Sequence, residues 1–501
     1  MSTVRADVVV VGAGSAGAVV ARRLIDQGAL RVLLLEAGGP DESPAIHDPG
    51  RVHELWLSEV DWAYETVPQE HAAGRRLAWP RGRVLGGSSC LNAMVWVRGA
   101  PADFDTWAYL GADGWSWEDV RPVYERIERR ELGGPGTVSI LSDFEPDPIH
   151  GAIRDAAEAC GIPFNSDYNG ASQDGVSFMQ FSIEGGIRHS TAAAYLREVE
   201  RDKRLEIVTG ATARRLLFDG TRCIGVEWSQ GATIERAHAA EVVVCAGTIG
   251  SAQLLLLSGV GPASDLRAHG IDVVVDLPGV GENLHDHLLS PVIFSAEREI
   301  GPPSPGLPAC QSHLFWRSRP GLPVPDVQPI HFMVPMYEPW MEGPANGFTL
   351  LGGMVRPASR GSLRLSGPNP EDPLLLDPNI LACEADVESL AAAADLCRRI
   401  GAAGPLAEWG AVERYPGPSV RSPEELRQYL RETAITYHHQ VGTCKMGVDE
   451  AAVVDARLRV HGLEGLRVAD ASIMPAVTTG NTNAPSIMIG ERAAEFVLAD
   501  G

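Results

Sequence analysis

The 501-residue sequence predicts a two-part architecture, α/β plus α+β, and three observations carry that expectation. Residues 6–36 read as strand, helix and strand in quick succession, an alternation that makes a parallel sheet. Two later runs, EVVVCAG (241–247) and LRVAD (466–470), read as buried strands of the same kind, so the parallel sheet gathers distant parts of the chain. Residues 291–345 are rich in proline and aromatic side chains, and DVQPIHFMVPM, GFTLLGGMVRP and GSLRLSG alternate as strands of a mostly antiparallel sheet do.

In chain order, ADVVVVGAG is a strand ending in glycines, SAGAVVARRLIDQG a helix stopped at Gly28, and RVLLLEAGG the second strand. This is a Rossmann-like unit. Farther on, LAAAADLC belongs to an ordinary helix. In SPEELRQYLRETA, Ser422 and Glu425 make a capping box, with Pro423 at the first helical position. The expected division is a nucleotide-binding domain built from 1–140, 188–288 and 433–501, and a second domain built from 141–187 and 289–432.

Composition narrows the partners. A net charge of −23 is spread over scattered Asp and Glu, which argues against nucleic acid and anionic membrane surfaces. No apolar run approaches the roughly 20 residues that span a bilayer. Eight cysteines without C-x-x-C spacing read as reduced thiols in a cytoplasmic protein.

The chemistry begins at Gly12-Ala13-Gly14-Ser15-Ala16-Gly17. Its glycines allow a tight turn, close approach of backbone to a pyrophosphate, and close helix packing, while the helix start aims N–H groups at the anion. Glu36 closes the next strand about 20 residues on, where a carboxylate accepts from ribose hydroxyls and repels a 2′-phosphate. That spacing does not distinguish FAD from NAD. Residues 81–105, RGRVLGGSSCLNAMVWVRGAPADFD, add a Gly-Gly-Ser-Ser turn and Asn92, which let backbone lie against a flat ring or simply make a tight loop.

Together these stretches resemble the glucose-methanol-choline family of FAD-dependent oxidoreductases. The resemblance runs through Glu36-Ala37-Gly38, the family's first signature at 82–105, its second at 247–261 (GTIGSAQLLLLSGVG), GVGENLHDH at 279–287, and the C-terminal blocks. It implies a Rossmann-like FAD-binding domain and an antiparallel-sheet substrate domain. It also implies FAD contacts at Gly12, Gly14, Ser15, Gly17, Glu36, Ala37, Arg81, Gly82, Val84, Gly87, Ser88, Asn92, Ala93, Met94, Val95, Ala213, Ala246, Gly247, Asp470, Ala471 and Asn483. Ala252 replaces a proline or serine usual in the family. Leu91 stands where flavin-linked members carry the attaching histidine, so the FAD is expected to be non-covalent.

The resemblance also bears on the pair His438-His439. The family's base precedes Gly-Thr in an H-x-x-G-T pattern, which is His439 here, and neighbours on an extended segment point to opposite faces. The family's partner histidine or asparagine is expected at Asn483, with the helix start at Pro485 aimed at the flavin. His438 is expected to pack or to touch the flavin side. His285-Asp286-His287 places two histidines on alternate positions, but no further ligand cluster is evident and no metal is expected.

The expected reaction is oxidation of a small primary alcohol, in particular an aromatic or heteroaromatic hydroxymethyl compound such as pyridoxine or hydroxymethylfurfural, with dioxygen or another electron acceptor. Choline is the alternative, with Glu338, Tyr337 and Trp340 as a possible cation cage. Hydroxynitrile cleavage on the same fold, or a binding protein without activity, are further alternatives. Phe332, Met333, Met336 and Phe348 are candidates for either pocket wall or core.

Overall fold

The computed structural model describes residues 3–130 and 134–500, and at its centre five strands run parallel. Their order across the sheet is Leu205–Val208, Val32–Leu35, Val8–Val11, Glu241–Val244 and Leu466–Val468. In chain order this is 3-2-1-4-5, the doubly wound arrangement in which a ligand crevice opens where the order reverses. The reversal falls between Val8–Val11 and Glu241–Val244, which pair directly. Val8, Val9, Val10 and Val11 are all buried, as a strand covered on both faces requires.

The helix after the first strand spans Gly17–Gln27, with Gly28 as its cap. It starts two residues later than the sequence suggests, because residues 12–16 form a loop and Gly12 has φ +98°. The last helix, Asn483–Asp500, lies across it. At their crossing a Cβ on Gly490 would come within 2.6 Å of the Ala16 carbonyl oxygen, so the start of the first helix can lie this close to the second turn of the last one only at a residue without a side chain. A four-stranded sheet of Ala211–Asp219, Arg222–Gln230, Thr233–His238 and Thr3–Arg5 stands beside the parallel sheet.

The second sheet is antiparallel throughout, in the order Val412–Tyr415, Leu288–Ser295, Gly347–Met354, Ile330–Phe332, Cys310–Phe315 and Gly175–Phe178, with Ile435–Thr436 also paired to Leu288–Ser295. GSLRLSG is not part of it: Ser362–Leu365 forms a separate pair with Leu374–Asp377. One face packs on the helix Glu384–Gly401, where a Cβ on Gly401 would strike the Phe294 ring at 2.0 Å. The other face presents Leu289, Ile330 and Leu351 to a cavity. The helix Pro423–Thr433 begins as expected, with Glu425 N donating to Ser422 Oγ (3.2 Å) and Ser422 N donating to Glu425 Oε2 (2.8 Å).

Candidate active site

The carboxyl ends of four parallel strands build one side of the cavity, in sheet order Glu36, Gly12, Ala246 and Asp470. Three inter-strand spacings put roughly 14 Å between the first and the last. Glu36 accepts from Ala13 N (3.0 Å) and Gly38 N (2.8 Å), and burial pushes its carboxyl up to about 7 against those bonds. Asp470 is buried likewise and accepts from Gly247 N (2.9 Å), Ser251 Oγ (2.5 Å) and Ser472 N (2.8 Å), which ties the helix Gly247–Leu257 to the loop after the last strand.

The Gly-Gly-Ser-Ser loop covers this edge. A Cβ on Gly87 would lie 2.7 Å from Gly14 Cα, and Gly12 could carry none without meeting the Cys245 carbonyl oxygen at 2.5 Å. Arg188 holds the loop from behind: fully buried and with no carboxylate partner among the described residues, it donates to the carbonyls of Ile46 (2.7 Å), Ser89 (3.1 Å) and Asn92 (2.6 Å) and to Asn92 Oδ1 (2.8 Å). Burial lowers its guanidinium to about 10. Nothing local in the sequence marks it, since its targets lie about a hundred residues upstream.

At the far end stands His439, 7% exposed and stacked on Tyr437 with ring centres 4.6 Å apart. Its Nδ1 shares a hydrogen bond with His287 Nδ1 (3.0 Å), and its Nε2 accepts from Asn481 Nδ2 (3.2 Å). Burial first, then His287, His438 and Arg81, holds the imidazole well below its ordinary value, so it is neutral and able to accept a proton. His438 does not share that face. It adopts φ +65°, so the segment is not the extended one expected; the strand ends at Thr436. Its ring turns to Trp56, 4.9 Å between centres, and its carbonyl accepts from Arg81 Nη2 (2.8 Å).

Asn483 is not the residue beside His439. Its Oδ1 accepts from Ser15 Oγ (2.8 Å), pinning the start of the last helix to the glycine loop, while Asn481 in the preceding loop reaches the imidazole. Both line the cavity. Asn481→Ala is expected to slow flavin reduction by about a hundredfold with little change in flavin content. Asn483→Ala is expected to loosen the cofactor by about 1 kcal/mol with a near-normal rate. Stopped-flow reduction and flavin titration of both variants separate the roles; the reverse pattern would restore Asn483 as the partner.

The His285-Asp286-His287 turn supports this site. His285 Nε2 accepts from Val477 N (3.0 Å) and its Nδ1 donates to Asn283 O (2.5 Å). Asp286 accepts from His439 N (2.8 Å), Gln440 Nε2 (3.0 Å) and Thr436 Oγ1, shaping the segment that carries the base; burial raises its carboxyl to about 6. Among the described residues no group of three His, Cys, Asp or Glu is arranged to hold a metal.

Of the other expected cofactor contacts, Gly14, Ser15, Ala37, Arg81, Gly82, Gly87, Ser88, Asn92, Ala93, Val95, Ala213, Ala246, Gly247 and Ala471 line the cavity. Gly17, Val84 and Met94 lie behind it. A Cβ on Gly17 would fall 1.9 Å from the Gly12 carbonyl oxygen, so Gly17 serves the turn itself. Phe332 and Met336 line the cavity, whereas Met333, Tyr337, Glu338, Trp340 and Phe348 do not. The residues present fit a dinucleotide with a flat ring. The glycine contacts leave a cradle bare of side chains, and the positive ends of the helices Gly17–Gln27 and Asn483–Asp500 both open on it.

This is the layout of an oxidoreductase built around a bound dinucleotide. The N- and C-terminal models described as GMC oxidoreductase match residues 6–289 and 357–490. The chain is 40% identical to the mitochondrial choline dehydrogenase of Mus musculus, over 98% of this chain and 89% of that protein. It is 37% identical to an alcohol dehydrogenase (acceptor) of Pseudomonas putida, over 98% and 95%. The crystal structure of pyridoxine 4-oxidase from Mesorbium loti superposes with a TM-score of 0.94 at 36% identity, covering 98% of each chain. The chain belongs to the GMC oxidoreductase family: it is an FAD-dependent oxidoreductase acting on CH–OH donors, with a small-molecule substrate and an electron acceptor. No helix among the described residues is long and apolar enough to cross a membrane.

Proposed function

We propose that the protein oxidises a small, uncharged primary alcohol with an apolar body, of the aromatic or heteroaromatic hydroxymethyl type, to the aldehyde. The observation that carries this reading is the lining of the cavity at the His439 end: Leu289, Ile330, Phe332, Met336, Leu351 and Tyr437. The acids that line the cavity, Glu36 and Asp470, are engaged by backbone N–H groups at the strand ends. Among the described residues that line the cavity no free carboxylate meets a quaternary ammonium substrate beside the base: Asp286 lies behind the lining and is taken up by His439 N, Gln440 and Thr436, and the residues offered for a choline cage, Tyr337, Glu338 and Trp340, lie outside the lining.

His439 Nε2 takes the hydroxyl proton. The alcohol displaces the Asn481 amide hydrogen from the single lone pair of Nε2, the imidazolium so formed keeps its Nδ1–H directed at His287, and the released amide hydrogen of Asn481 donates to the alcohol oxygen. FAD, held by the cradle, supplies an acceptor for the hydride leaving the carbinol carbon. The apolar walls exclude water and hold the carbinol in one orientation. Dioxygen or another acceptor restores the oxidised cofactor. The eight unpaired cysteines support a reducing compartment, the cytoplasm.

Anaerobic bleaching of the flavin by benzyl alcohol, hydroxymethylpyridines and choline tests this. The aromatic alcohols are expected to bleach it at lower concentration than choline, and the ranking in the opposite order would overturn the substrate assignment. Peroxide released in air identifies dioxygen as the acceptor.

A further inference from the structure

We propose that Gln328 is a positioning residue that decides which face of Asn481, and therefore which tautomer of His439, is presented to the substrate. The inference rests on the reading of His439 as the base. It starts from Gln328 in the run DVQPIHF, a fully buried side chain held at its backbone, where its N–H donates to Gly353 O (2.9 Å) and its carbonyl accepts from Tyr437 Oη (3.3 Å).

Its side-chain nitrogen lies 3.1 Å from Asn481 Oδ1 and 3.1 Å from His313 Nδ1. One amide group has two hydrogens, and the structure supplies two acceptors for them. With its Oδ1 taken by Gln328, Asn481 must turn Nδ2 to His439 Nε2, at 3.2 Å. An amide nitrogen offers no lone pair, so that contact needs a bare lone pair on Nε2. The imidazole proton is then on Nδ1, which donates to His287 Nδ1 at 3.0 Å.

The donor direction set at Gln328 thus runs through Asn481 and His439 to His287, each step fixing the next. Burial holds both His313 and His287 down to about 3, so both ends of the chain are neutral, and the direction is carried by the Gln328 amide with His313 keeping its own hydrogen on Nε2. The consequence is chemical. The lone pair that receives the hydroxyl proton exists only for this direction; the opposite direction would place an N–H at the same atom, and the base could accept nothing. His313 and Gln328 come from the antiparallel sheet and its approach, while His439 and Asn481 come from the C-terminal segment. The chain therefore makes the tautomer of the base depend on the docking of the two parts.

Long-range 15N–1H spectra of histidine-labelled, FAD-loaded protein read the tautomer directly, with His439 assigned by the signal missing from His439→Gln. The wild type is expected to show Nδ1–H. Gln328→Glu, which offers an acceptor in place of the amide hydrogens, is expected to turn Asn481 over and give Nε2–H, with kcat lowered about a hundredfold and KM little changed. Gln328→Met, of similar length and without polar atoms, is expected to give a mixture of both tautomers at an intermediate rate, and it keeps the test decisive should the buried glutamate hinder folding. An Nε2–H tautomer in the wild type, or an unmixed Nδ1–H signal in Gln328→Met, would overturn the proposal. Failure of the underlying reading looks different: His439→Ala would then reduce its flavin as fast as the wild type.

Discussion

The His439→Ala variant is expected to fold and hold its flavin, yet to lose alcohol-driven flavin reduction by about 10³-fold. The imidazole lies at the end of the cavity away from Glu36, and its hydrogen bonds go to His287 and Asn481 rather than to the glycine loop, so the cofactor cradle is expected to survive its removal. The lost contacts are those to His287, Asn481 and Tyr437, which stabilise one another without the ring less well but do not hold the sheets together. In the wild type the same burial that depresses the imidazole sets the pH profile. A histidine held well below its ordinary value is neutral above that depressed value, so the proton-accepting form persists as pH falls through the range where an ordinary histidine is protonated. The reduction rate constant measured by stopped flow is therefore expected to be flat from about pH 6.5 to 9. A rate near that of the wild type in the alanine variant, or a midpoint between about pH 6 and 7 in the wild type, contradicts the assignment.

Gly12→Ala is expected to yield protein with less than about a tenth of its flavin, a difference of roughly 1.4 kcal/mol or more in cofactor binding. Gly12 has φ +98°, a region that costs a residue with a side chain about 1–3 kcal/mol, and its Cβ would sit 2.5 Å from the Cys245 carbonyl oxygen. Relief requires the ends of two adjacent parallel strands to part, at the point where the sheet opens toward the cofactor. Gly39→Ala is the control, because a Cβ there meets nothing within 4 Å. Flavin absorbance per polypeptide and the rise in Tm on adding FAD measure both variants. A Gly12→Ala protein with a full complement of flavin would show that the strand ends yield.

How much was legible without coordinates follows from how local each feature is. The glycine loop, Glu36 and the capped helix at Ser422 depend on backbone conformations and spacings within a few residues or one β-α-β unit, and their places follow from local order. The antiparallel sheet was legible as alternation, but the fate of GSLRLSG was not. A short alternating run pairs with whichever edge is free, and Ser362–Leu365 found Leu374–Asp377.

The partner of His439 shows the limit most clearly. Asn481 and Asn483 stand two residues apart in TTGNTNAP, and chemistry alone does not choose between two identical amides. The choice depends on where the helix begins. It begins at Asn483, which joins the helix and turns to Ser15, leaving Asn481 in the loop to face the imidazole. Asp286, His287 and Gln328 escaped for a related reason: each acts by contact with a residue more than a hundred positions away.

By itself, then, the order of residues determined the nucleotide fold and the glycine loop with Glu36, because those rest on short-range backbone geometry and on motif spacing. It singled out His439 over His438 through the H-x-x-G-T resemblance, while the extended backbone expected to separate the two gives way to the positive φ of His438. The tertiary structure alone decided the partner amide, the second imidazole behind the base and the amide that orients them. Hydrogen-bond direction in a buried chain is set by which groups the packed sheets and loops bring within about 3 Å, and no spacing along the sequence reports that.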